Sequence, residues 1–127
     1  MKLVLGTANL NQKYGILGET TSQKESIKIL KYTVDNLKFV DTASAYDGFN
    51  KLTKKISLPK IKINTKISKV KGSTFEKIYQ NISKDLNFFL NFYKIKKINT
   101  LFLHRPNEIL NKKRGSYLIK ALKKLKK

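Results

Sequence analysis

Short apolar runs alternate along the chain with longer stretches whose apolar residues recur every three or four positions. "KLVLGT" at 2–7 predicts a strand ending in Gly-Thr, and a polar, glycine-punctuated loop follows to about Glu19. Thr21 or Ser22 can cap a helix, whose apolar stripe is Ile27, Leu30 and Val34 with Ile29 beside them. "LKFVDT" predicts a second strand. "FNKLTKKI" predicts a short helix that stops before Pro59, and "PKIKINTKI" alternates as a third strand. Ser73-Thr74 opens a long helix with Phe75, Ile78, Ile82, Leu86 and Phe89 on one side. "KKINTLFLHRP" is a fourth strand closed by Pro106. After a lysine-rich loop, "GSYLIKALKKLKK" is a last helix with Tyr117, Leu118, Ala121, Leu122 and Leu125 along one face.

Strand then helix, four times over, is a parallel (β/α) repeat, and its fold class is α/β. Four units make half of a (β/α)8 TIM barrel or a small open sheet. The 127 residues suit one domain, 1–127.

In a parallel sheet, the carboxyl ends of all strands lie on one face, where α/β sites form. Four polar residues sit at those ends: Asp41 and Tyr46 after strand two, Lys66 at strand three and His104 at strand four. Together they have a coherent chemistry. A phenol is a poor proton donor near neutral pH unless a cation stabilises its anion. Lys66 can supply the cation, Asp41 can orient Lys66, and His104 can hydrogen-bond a substrate carbonyl. Each residue also has a plainer reading. Asp41 can be a helix cap, Tyr46 a core or rim aromatic, Lys66 one lysine among many, and His104 a packed loop residue. The shared face carries the signal.

Charge changes this picture less than its size suggests. Lys+Arg number 28 against 8 Asp+Glu, for a net charge of +20, and Arg105 and Arg114 are the only arginines. Phosphate and base readers favour the guanidinium fork. The lysines arrive with eleven asparagines and thirteen isoleucines, which points to A/T-rich codons as much as to an anionic partner. Nucleic acid is therefore not the favoured partner, and loose electrostatic association is its best form. With no cysteine and one histidine, neither a disulfide framework nor a metal site is expected. No run approaches the length of a membrane span or a signal-peptide core, so the expected location is the cytoplasm.

"LVLGTANLNQKYGI", "FVDTASAYDG", "INTKI" and "LFLHRP" closely resemble the amino-terminal half of the aldo-keto reductases. The resemblance implies the first four units of a TIM barrel and NADPH-dependent reduction of an aldehyde or ketone, with NADP(H) as cofactor. It implies Asp41 as orienting carboxylate, Tyr46 as general acid, Lys66 as the cation that lowers the tyrosine's pKa, and His104 as the group orienting the carbonyl. Gly6, Thr7, Ala8 and Asp41 would lie near the nicotinamide. Two departures stand out. Relatives follow the tyrosine with Gly, a small residue and Ser-Glu, where this chain has Asp47-Gly48-Phe49-Asn50. The half that grips the coenzyme's phosphates is not among these residues, and no G-x-G-x-x-G or G-x-x-x-x-G-K-[ST] run replaces it. The expected partners are a small carbonyl substrate and either a carboxyl-terminal half or a second copy. Two alternatives stay open: a non-catalytic truncated remnant, and a basic protein that associates with anionic partners through "NKKR" and the lysine-rich last helix.

Overall fold

The computed structural model describes residues 2–16, 18, 20–56, 58 and 61–126. Pro59, the expected stop before the third strand, lies outside them. The elements run β1 (Leu5–Gly6), α1 (Gln23–Tyr32), β2 (Phe39–Asp41), α2 (Asp47–Thr53), β3 (Lys62–Ile67), α3 (Phe75–Phe92), β4 (Thr100–Leu103) and α4 (Lys112–Leu125). The strands form one sheet in the order β1-β2-β3-β4. These are the first four β/α units of a TIM-barrel fold. By contact the chain divides into two compact units, Met1–Lys66 with Lys97–Leu101, and Ile67–Lys96 with Phe102–Lys127.

In the first unit, β1 pairs with β2 in parallel, Leu5 opposite Val40 and Gly6 opposite Asp41. β2 pairs with β3 in the same sense, Val40 opposite Ile63 and Asp41 opposite Asn64. The strand expected over 2–7 narrows to two residues, because Leu3 and Val4 are exposed and bridge to nothing among the described residues. Ser22 caps α1 through a capping box: its hydroxyl accepts from the Glu25 amide, and the Glu25 carboxylate accepts from the Ser22 amide. The predicted helix does continue to Leu37, but its last five residues, Thr33–Leu37, widen into a π-turn. Lys38 then turns the chain into β2 at a positive φ of 62°. Leu10, Leu30, Val40, Phe49, Leu52 and Ile63 form this unit's core.

In the second unit, the Thr74 hydroxyl caps α3 by accepting from the Lys77 amide. Ile78, Ile82 and Phe89 of the predicted stripe are buried with Leu118 and Ala121 of α4. The last helix starts three residues earlier than the sequence suggests. Asn111 caps it by accepting from the Arg114 amide, so "KKR" is its first turn rather than a loop. Gly115 is not a breaker here. A Cβ in its place would stand 2.2 Å from the Ile109 carbonyl oxygen, so glycine lets a 3-10 turn over Pro106–Ile109 press onto the helix. Arg114 donates to the carbonyls of Val70 and Gly72 and ties the segment after β3 to α4.

Candidate active site

The register of β2 and β3 accounts for one ion pair. Asp41 sits opposite Asn64, and Lys66 lies two residues further on the same pleat face. Two residues rise about 7 Å, within reach of a lysine stem folding back. The Lys66 ammonium pairs with the Asp41 carboxylate and also donates to the Thr42 carbonyl at 3.4 Å. The pair is partly buried, with side chains 20% and 36% exposed for Lys66 and Asp41. Thr7 holds Asp41 from the other side. It is fully buried, and both its amide (3.0 Å) and its hydroxyl (2.9 Å) donate to the Asp41 carbonyl.

Tyr46 ends the turn that follows β2. Its amide donates to the Ala43 carbonyl at 3.0 Å, its carbonyl accepts from the Asn50 amide at 3.1 Å, and it occupies the cap position of α2. That turn buries the phenol and brings its ring under the Lys66 ammonium, 5.6 Å from the ring centroid. Asp41, Lys66 and Tyr46 are thus gathered within the first unit.

The electrostatic outcome differs from the expected one. The Tyr46 phenol is pushed above its ordinary value of 10.0, first by burial and then by a hydrogen bond with Tyr14. The charges of Tyr14 and Asp41 push it the same way. Burial is the main cause, and the Lys66 ammonium, paired with Asp41, does not reverse it. Tyr46 therefore keeps its proton at neutral pH.

His104 belongs to the second unit. It follows β4 directly, is exposed, and its amide donates to the Ile67 carbonyl at 3.0 Å. Gly6 is exposed, and among the described residues nothing beyond its chain neighbours lies within 4 Å of where a Cβ would stand. The Ala8 carbonyl is already engaged, accepting from Gln12 Nε2 at 2.7 Å.

Sequence reasoning missed Gln12 and Tyr14. Both lie in the aperiodic loop after β1, where no spacing singles them out. The available signal was position alone, because an aromatic in that loop stands on the same sheet face as Tyr46.

Among the described residues, no three His, Cys, Asp or Glu side chains group to hold a metal ion. Nor is any helix there long and apolar enough to cross a membrane. A comparison with curated proteins returned no match. The sequence profile of the Aldo/keto reductase family matches residues 2–127. With four β/α units and that match over nearly its whole length, the chain belongs to the aldo/keto reductase family.

Proposed function

We propose that this chain carries the proton-donating residues of an NADPH-dependent carbonyl reductase, with Tyr46 as general acid. The observation that carries the reading is the Lys66–Asp41 ion pair with its ammonium over the buried Tyr46 ring. Reducing an aldehyde or ketone places negative charge on the carbonyl oxygen, which must be met by a proton. Tyr46 keeps that proton at neutral pH, since its phenol sits above the ordinary tyrosine value. As the proton leaves, Lys66, which Asp41 and the Thr42 carbonyl keep in place over the ring, would meet part of the phenolate's charge, less than an unpaired ammonium would. Thr7 keeps Asp41 in place in turn. His104 would hydrogen-bond the carbonyl oxygen and orient it.

NADPH, when bound, supplies the hydride. Gly6 and Asp41 would border its nicotinamide, a placement supported by the open space over the Gly6 backbone. Thr7 acts indirectly, because its hydroxyl is spent on the Asp41 carbonyl.

The test is carbonyl-dependent NADPH oxidation. The chain is assayed alone and after co-expression with the carboxyl-terminal half of a family member, using a simple aldehyde. Turnover on co-expression that Tyr46→Phe abolishes supports the reading. Turnover that survives Tyr46→Phe removes Tyr46 from the acid role.

A further inference from the structure

Tyr46 stands at the cap position of α2 and does not cap it, since its side chain makes no hydrogen bond to the first turn. The free amides of a first turn need acceptors, and here one acceptor comes from outside the helix. Gln12, in the loop after β1, accepts from the Gly48 amide through its Oε1 at 2.6 Å. Its Nε2 donates to the Ala8 carbonyl at 2.7 Å. Gly48 is buried, and a Cβ there would stand 2.1 Å from the Leu10 carbonyl oxygen. The loop backbone therefore rests directly on the turn that Gln12 caps.

The two ends of the Gln12 amide join two sides of the site. Ala8 follows Thr7, which is fully buried and binds the Asp41 carbonyl through both its amide and its hydroxyl. Gly48 lies two residues past Tyr46, whose carbonyl starts α2 by accepting from the Asn50 amide at 3.1 Å. We propose that Gln12 is a positioning residue: by clamping the backbone beside Asp41 to the turn that carries Tyr46, it holds the phenol beside the Lys66–Asp41 pair. The proposal rests on Tyr46 being the general acid.

Packing of a loop on a helix does not by itself call for glutamine. An amide side chain offers a donor and an acceptor, and each end here meets its complement, a carbonyl at Nε2 and an N–H at Oε1. Methionine would meet neither, and glutamate only the second. The turn's own hydrogen bonds run from the Tyr46 amide to the Ala43 carbonyl and from Asn50 Nδ2 to the Ser44 carbonyl at 3.2 Å. Both stay within residues 43–50, so they shape the turn without fixing it against the sheet. Gln12 supplies a contact that does, from a loop anchored by Leu10, which is buried and bridges to Thr21.

Gln12→Ala removes both bonds, and Gln12→Glu keeps an acceptor for the Gly48 amide. The full chain is labelled with carbon-13 at the tyrosine rings and titrated by NMR, with the Tyr46 signal identified by its loss in Tyr46→Phe. Burial is the main cause of the raised Tyr46 value, so a loosened turn in Gln12→Ala should move its midpoint down. The charged and titratable groups around the phenol, Asp41, Lys66 and Tyr14, are the same in that variant. In the complex with a co-expressed carboxyl-terminal half, Gln12→Ala should lower kcat for a simple aldehyde about tenfold, short of the roughly hundredfold that a 1 Å misplacement can cost. The KM for NADPH should hold, and Gln12→Glu should recover most of kcat. Amide spectra that overlay the parent's away from the clamp show that each variant is folded; Gln12→Met stands in for Gln12→Ala should that variant unfold. A Tyr46 midpoint that stays in place in the folded variant overturns the positioning role, whatever the turnover assay shows. Gln12→Glu as slow as Gln12→Ala overturns the cap as its means. A lowered midpoint together with carbonyl turnover indifferent to Tyr46→Phe overturns the acid reading, and with it the catalytic meaning of Gln12.

Discussion

Gly48→Ala tests the contact on which the site's geometry depends. The new methyl would stand 2.1 Å from the Leu10 carbonyl oxygen and 2.9 Å from the Asn11 carbonyl carbon and oxygen. The first approach is more than about 1 Å inside van der Waals contact. Both obstacles are backbone, so no side-chain rotation relieves them. Either the loop or the first turn of α2 must move, and the Gly48–Gln12 hydrogen bond goes with it. Overpacking costs about 1–3 kcal/mol and the lost hydrogen bond about 1 kcal/mol. Alanine's better helix propensity returns up to about 1 kcal/mol. The net loss is about 2 kcal/mol, a large part of a small domain's stability. Urea unfolding followed by circular dichroism reads it as a midpoint lowered by about 1 M. Gly6→Ala is the control, because its methyl meets nothing within 4 Å, and its midpoint should hold or rise slightly. A Gly48→Ala midpoint equal to the parent's would refute the close approach and the clamp built on it.

Three further outcomes are expected. Lys66→Met strands the Asp41 carboxylate and should cost about 1–2 kcal/mol, between an exposed and a buried pair; urea midpoints check it, and Asp41→Asn in the same background should recover part of the loss. Because the folded-state value of Tyr46 is raised above 10.0, its contribution to stability is whole below pH 10.0 and is lost as pH rises through the folded-state value. Melting curves from pH 9 to pH 12 should therefore diverge between the parent and Tyr46→Phe, the parent falling more steeply; parallel curves would count against the shift. NADPH should bind these 127 residues weakly, with an affinity that falls as salt rises, since the contacts proposed for it lie at the nicotinamide end and the lysine surface attracts phosphates without shaping them. Saturable micromolar binding that survives about 0.5 M salt would contradict this.

Much of the fold could be read from local physics. The Ser22 capping box and the Thr74 cap fix where α1 and α3 begin, and the stripe Ile78, Ile82 and Phe89 names the buried face of α3. Features set by non-local contact were not legible. β1 is two residues long because ladder partners, and not the apolarity of Leu3 and Val4, decide where a strand begins. Gly115 looks like a breaker until the Ile109 carbonyl is found against it. The site divides the same way. Asp41 and Lys66 follow from strand register, and Tyr46 from its place just past a strand end. Tyr14 and Gln12 depend on how an aperiodic loop folds over α2, which no spacing encodes. The upward direction of the Tyr46 shift was not legible for a related reason: burial, its main cause, is set by how the turn after β2 packs.

The most direct test of the central claim follows the hydrogen atoms. NADPH carrying deuterium at the transferable position is incubated with an aldehyde and the chain co-expressed with a carboxyl-terminal half from its family, and the alcohol is analysed by NMR. The account predicts deuterium at the carbinol carbon with Tyr46 present and its loss in folded Tyr46→Phe. Deuterium incorporated equally by Tyr46→Phe, or absent with the parent chain in a folded complex, would contradict it.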